Sequence, residues 1–236
     1  MAVITPFRAL RPTPDKAAQV AAPPYDVVSL EEARQQAEGN PQSFLRISRA
    51  ELELQDDIDP YSPEVYEHGA RKLQELIQKG ILTQEPRPML GVYRQKWGTH
   101  VQTGLVALAS VKEYDQGIIK KHELTRPVKE NDPVQLIQTH ESQSGPVLLF
   151  FRRTLDVAEW FDQVTDSKPD VQFVASDSVE HTVWSVRDDT KIQQIVKGFL
   201  DVPALYIADG HHRSAAASRV RAARHQSGKS GTSTPE

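Results

Sequence analysis

The stretch Ala204-Leu-Tyr-Ile-Ala-Asp-Gly-His-His-Arg213 constrains the fold more than any other part of these 236 residues. Its apolar residues read as a strand, the pattern breaks at Asp209-Gly210, and an alanine-rich run to Arg224 follows with helical character. A strand that turns on a glycine straight into a helix leaves the first backbone N–H groups without intrahelical partners, at the positive end of the helix dipole. Such a junction suits an anion. Arg213 adds a planar fork matched to phosphate or carboxylate. The junction therefore reads as the phosphate-binding edge of an active site, with Gly210, His211, His212 and Arg213 as its residues. Either histidine can also donate to a phosphoryl oxygen or shuttle a proton. Neighbours on a helix diverge by about 100°, so one ligand is not expected to meet both imidazoles. The bland alternative is a helix capped by Asp209, with partly exposed histidines and with Arg219, Arg221 and Arg224 simply suiting the helix C-terminus.

Two further places carry candidate chemistry. His122 and Glu123 end a strand pattern, with Arg126 and Lys129 close behind. A carboxylate so placed can act as a general base or metal ligand among phosphate-holding cations, or it can belong to an ordinary charged loop. Asp26 follows Pro23-Pro24-Tyr25, a stiff segment that either presents the carboxylate to a pocket or uses it in a local turn. His68, His100, His140, His181 and His225 are scattered without metal-ligand spacing and read as surface or packing residues, while Trp97, Trp160 and Trp184 read as core.

The rest of the pattern mixes helices and strands. Strands are expected at 3–10, 43–49, 89–97, 101–114, about 118–123, 146–152, 171–175 and 182–186. The pair 89–97 and 101–114 should form a hairpin about Gly98-Thr99, and 146–152 should be buried. Ser29 with Glu32 makes a capping box for a helix to about Glu38, and Ser62-Pro63 opens a helix that Gly80 stops. Asn131-Asp132-Pro133 should cap and start a helix through His140; further helices are expected at 156–164 and 189–199. This interleaving predicts an α+β (mixed α/β) domain over 1–226, with room for two subdomains and with mixed sheets flanked by helices. Residues 227–236 are polar and linker-like, so the chain is expected to be the N-terminal part of a longer protein.

Composition removes several function classes. The absence of cysteine rules out disulfides, thiolate catalysis and Cys-ligated zinc. A net charge of −4 gives no overall pull toward nucleic acid or anionic membrane. No apolar run approaches the ~18 residues of a membrane span, and the expectation is a soluble, cytoplasmic protein. Walker A, G-x-G-x-x-G and G-x-S-x-G motifs are missing from the chain.

Five motifs, taken together, resemble a widespread bacterial family of unknown function: 4–11 (Ile-Thr-Pro-Phe-Arg-Ala-Leu-Arg), 21–28 (Ala-Ala-Pro-Pro-Tyr-Asp-Val-Val), Gly117 through His122-Glu123 to Thr125, Gly145-Pro-Val147, and Ala208-Asp-Gly-His-His-Arg213. Where that family leads one to expect arginine after Asp132, this chain has Pro133. The last motif is also similar to the phosphate-binding strand–turn–helix of the ParB/sulfiredoxin superfamily, which includes a free-serine kinase. That likeness implies nucleotide phosphates at the turn. Sulfiredoxin chemistry is excluded, since His211 stands where the cysteine would be. A ParB-like clamp would need a helix-turn-helix and a basic surface, and neither is evident. A kinase-like reading needs phosphate donors, a carboxylate base and Mg²⁺. Gly210 to Arg213 with Arg126 supply the first, Glu123 with His211 and His212 the catalytic groups, and Asp26 and Asp209 the metal-holding carboxylates. The expectation is a phosphotransferase or nucleotide hydrolase using ATP, ADP or CTP on a small hydroxylated metabolite. The rival is a regulatory module that binds a nucleotide or anion without turnover. Oligomeric state stays open.

Overall fold

A computed structural model of the chain describes residues 2–152 and 155–227. The expected tail thus lies, but for Ser227, outside the described residues. The fold is mixed α+β with several small sheets. Two short strands, β1 (Ile4–Thr5) and β2 (Leu10–Pro12), replace the single strand expected over 3–10, with Pro6 between them and a bridge from Phe7 to Met89. Proline lacks the donor a continuous ladder needs. Then come α1 (Ala17–Val20), a 3₁₀ turn (Tyr25–Val27) and α2 (Leu30–Ala37), where the Ser29–Glu32 capping box forms as read.

Residues 43–49 are not a strand. They contain α3 (Leu45–Ser48), which buries Leu45 and Ile47 and leads into a 3₁₀ turn (Ala50–Glu53). Strand propensity is a weak prior that packing overrides. Packed beside it is α4 (Pro63–Gln78), with Pro63 in its first turn and Val65, Tyr66, Leu73 and Leu76 inside. A Cβ at Gly69 would lie 2.5 Å from the Ile47 carbonyl oxygen and 2.8 Å from His140 Nε2, so glycine lets α4 sit close on its neighbours.

The chain continues through β3 (Leu82–Gln84), β4 (Leu90–Trp97), β5 (His100–Val106), β6 (Leu108–Ala109), α5 (Val111–Asp115) and β7 (Ile119–Lys120). The hairpin over Gly98 is present, but the expected second strand ends early, because Ser110 caps α5 by accepting from Glu113 N. Trp97 is 68% exposed at the hairpin end and not core, whereas Trp160 and Trp184 are buried.

Helix α6 (Pro127–His140) begins a turn before Asn131, with Arg126 as N-cap and Pro127 in the first turn. Proline at that position costs no hydrogen bond, which explains the earlier start. Pro133 then stands inside the helix. The last elements are β8 (Leu148–Phe150), α7 (Leu155–Thr165), β9 (Val171–Val174), β10 (Glu180–Val186), α8 (Asp189–Phe199), β11 (Leu205–Asp209) and α9 (His211–Gln226). Strand β8 is not buried: Leu148 and Phe150 face outward, 47% and 53% exposed.

The four-stranded antiparallel sheet runs β5-β4-β10-β9 and the three-stranded one β7-β11-β8. The largest apolar cluster, containing Leu90, Val92, Trp160, Trp184, Ile195, Phe199, Leu205 and Ile207, joins both sheets to α7 and α8. Buried Glu85 ties strands together through Arg11 and a bidentate pair with Arg187. Among the described residues no helix is long and apolar enough to cross a membrane.

Candidate functional site

Strands β7 and β11 run parallel, with Ile119 opposite Leu205 and Lys120 opposite Tyr206. Both strands run toward the same sheet end, and β7 closes at Lys120, shorter than the 118–123 expected. His122 and Glu123 thus leave their strand at the same sheet end where β11 turns into α9. The turn is made by Gly210 at φ 92°, ψ 32°, left-handed backbone that a glycine adopts freely. A Cβ there would lie 3.3 Å from Val147 Cγ2. No side chain caps α9, so the Asp209 cap is not formed and the amides of His211, His212 and Arg213 have no intrahelical acceptor.

The two imidazoles part as helical geometry requires. His211 is 5% exposed; its Nδ1 lies 3.6 Å from Glu123 Oε2 and its ring meets His122 edge-on at 4.3 Å. Its Nε2 is buried and unpartnered among the described residues. Burial, then the neighbouring His122, holds this imidazole below its ordinary pKa. His212 Nε2 instead accepts from the Arg126 backbone N–H at 3.4 Å. The Arg126 side chain is exposed and does not line the cleft.

Arg213 turns inward. Its Nη1 donates to the Pro146 carbonyl at 2.7 Å, and its Nη2 donates to both oxygens of Asp26 at 3.1 and 2.9 Å, with Asp209 Oδ2 3.5 Å away. Only 9% of its side chain is exposed. Gly145 makes room for it: a Cβ there would stand 3.0 Å from Arg213 Cδ. Asp26 sits on the Tyr25–Val27 turn, whose Tyr25 and Val28 carbonyls accept from Arg49 Nη1 at 3.1 and 2.8 Å. Arg49 is in turn paired with Glu51, which is buried. Behind the turn, Tyr66 donates to Asp132 at 2.9 Å. Burial raises the Asp132 carboxyl, and burial with Asp132 raises the Tyr25 and Tyr66 hydroxyls.

The result is a cleft of about 140 Å³ walled by Asp26, His122, Glu123, Ala208, Asp209, Gly210, His211, His212 and Arg213. Every candidate except Arg126 lines it. A larger hollow of about 280 Å³ lies elsewhere, by Ser185, but there Asp170 is occupied with the Ser185 amide and Arg187. The cleft's three carboxylates face one buried guanidinium, itself paired with Asp26, so its charged lining is net negative. Among the described residues no group of three or more His, Asp or Glu is arranged to hold a metal unaided.

A family model described as "Protein of unknown function (DUF1015)" matches residues 4–236. The chain belongs to that family. The match spans all the cleft residues of this DUF1015 chain. No curated protein and no solved structure matches it. Sequence reasoning passed over Arg49, Glu51 and Asp132 as site residues, and it gave His122, singled out beside Glu123, no role of its own; nothing in the local spacing of the first three marks them.

Burial of histidine gives a pH prediction. His140, His181 and His211 are all held below their usual pKa, burial being the first cause. The unfolded chain therefore binds more protons than the folded one. This stability is complete above about pH 6.5 and declines as pH falls through the depressed values. Glu85, brought to about 2 by hydrogen bonds from Arg187, with Arg11 adding to them against burial, contributes stability that is lost only as pH falls from about 4.5 toward 2. Thermal melting should show a first decline below about pH 6.5, which His140→Gln partly flattens, and a separate steeper one below about 4.5. A level melting temperature from pH 7.5 down to about 5 refutes the histidine part.

Proposed function

We propose that this protein binds a nucleotide at the β11–α9 turn and acts as a nucleotide-dependent phosphotransferase, or nucleotide hydrolase, on a small hydroxylated metabolite. One observation carries the reading: Asp26, Glu123 and Asp209, from three distant segments, meet the uncapped start of α9 in one cleft. Amides of His211 to Arg213 hold the phosphates. Arg213, mostly enclosed, adds positive charge from behind and fixes Asp26. Glu123 is the base that takes the hydroxyl proton, with His211 within reach of it and His212 at the other side of the turn.

Magnesium is commonly held by one or two carboxylates together with substrate phosphates. Asp209, 68% exposed, fits that use better than Asp26, whose oxygens are engaged by Arg213. The ion would neutralise phosphate charge. The ParB/sulfiredoxin-like reading of the junction agrees with these roles. A second reading, a nucleotide- or anion-sensing module without turnover, uses the same turn and is favoured by the short contact between Arg213 and Asp26, which suits a fixed frame.

Calorimetric titration with ATP, ADP and CTP in the presence of Mg²⁺ is the direct test. Saturable binding of at least one is expected. Heat no greater than dilution for all three, at millimolar ligand, removes the proposal.

A further inference from the structure

The geometry points to a platform for a planar base beside the phosphate turn, formed by Tyr206 and Phe150. This rests on the phosphate reading above and names what the other end of the ligand is. On β11, Leu205 and Ile207 are buried at 2% and 0% exposure, so Tyr206 faces the opposite side of the sheet; Ala208, at the strand's irregularity before the turn, is exposed too. Tyr206 stands directly across from Phe150 on β8, and the rings stack at 5.3 Å between centroids with a 22° tilt. Both are open to solvent, 42% and 53% exposed. Two large aromatic rings paired on an uncovered sheet face are unusual for surface that meets only water.

Their position supplies the occupant. Ala208, the next exposed residue toward the turn, is itself part of the cleft wall. With only a methyl group there, and with outward-facing Leu148 opposite Asp209, the ring face runs on toward the cleft as small or apolar surface. At about 3.3 Å per residue, Tyr206 lies roughly 13 Å along the strand from Gly210. A nucleoside diphosphate bound by its phosphates at the α9 amides spans that distance and lays its base on the rings. Stacking needs only a π-face, so this platform tolerates different bases.

The test compares ADP with inorganic pyrophosphate, both with Mg²⁺, on the native chain and on Tyr206→Ala and Phe150→Leu. Both positions are exposed, and circular dichroism checks that the variants fold. The native chain should bind ADP more tightly than pyrophosphate. Tyr206→Ala should weaken ADP by about 5- to 150-fold and leave pyrophosphate unchanged, with Phe150→Leu in the same direction. Equal affinity of the native chain for ADP and pyrophosphate, or an unmoved ADP affinity in Tyr206→Ala, overturns the platform while the phosphate site stands. Binding of neither ligand overturns both. Light scattering completes the set: if Tyr206→Ala changes oligomeric state and not the ADP-to-pyrophosphate ratio, the rings meet a second copy of the chain and the base platform is wrong.

Discussion

Glu123→Gln should lower nucleotide turnover by about 10²- to 10⁴-fold while leaving nucleotide affinity within about a factor of two. The substitution keeps the side chain's size and its exposure at the end of the β7 segment, yet removes the proton acceptor. Glu123 is 55% exposed, and its ion pair among the described residues is with His211 Nδ1 at 3.6 Å, so little stability depends on it. Phosphate release measured under single-turnover conditions, alongside calorimetry, separates the two readings of the cleft. A catalyst loses rate and keeps ligand. A sensor has no rate to lose, and its affinity barely moves. Unchanged turnover in Glu123→Gln would transfer the base to His211, whose imidazole burial holds below its ordinary pKa.

The two halves of this site were legible to very different degrees. Helix α8 begins and ends where its pattern places it, because Asp188 caps it by accepting from Lys191 N and Ile192 and Ile195 face the core. The β11–Gly210–α9 junction was equally plain, since an apolar run, a glycine and an alanine-rich run are local signals. Segment 43–49 was misread because four residues of helix carry too little periodicity to outweigh Phe44 and Ile47, both at home in strands. What no local pattern holds is convergence. Arg213 and Asp26 are 187 residues apart, and Glu123 shares a cleft with Asp209 because the two short strands before them pair in parallel. Arg49 is further removed still. It acts through carbonyls on the Asp26 turn, and a carbonyl leaves no trace in a residue's identity.

Arg213→Ala should cost about 3 kcal/mol of folding stability, the lower end of what breaking a buried pair costs, because Asp26 is 41% exposed and recovers water. The loss has three parts: the Pro146 carbonyl loses its donor, the space beside Gly145 empties, and the Asp26 turn loses its anchor. Asp26→Ala should cost less, since Arg213 keeps the Pro146 bond and has Asp209 at 3.5 Å. In urea unfolding of the two single variants and the double, the pair should therefore be non-additive, the double losing little more than Arg213→Ala alone. Additive losses would mean that the ion pair does not connect the turn to the helix. This bears on how the cleft is read. An Arg213 variant that fails to bind nucleotide does not by itself make the guanidinium a phosphate ligand, because the same change releases Asp26 and loosens the first turn of α9. Arg213→Lys keeps the charge but cannot reach Pro146 and Asp26 together as a planar fork does. If charge behind the amides is what the phosphate uses, Arg213→Lys keeps most of the affinity and loses stability. If the frame is what matters, affinity and stability fall together.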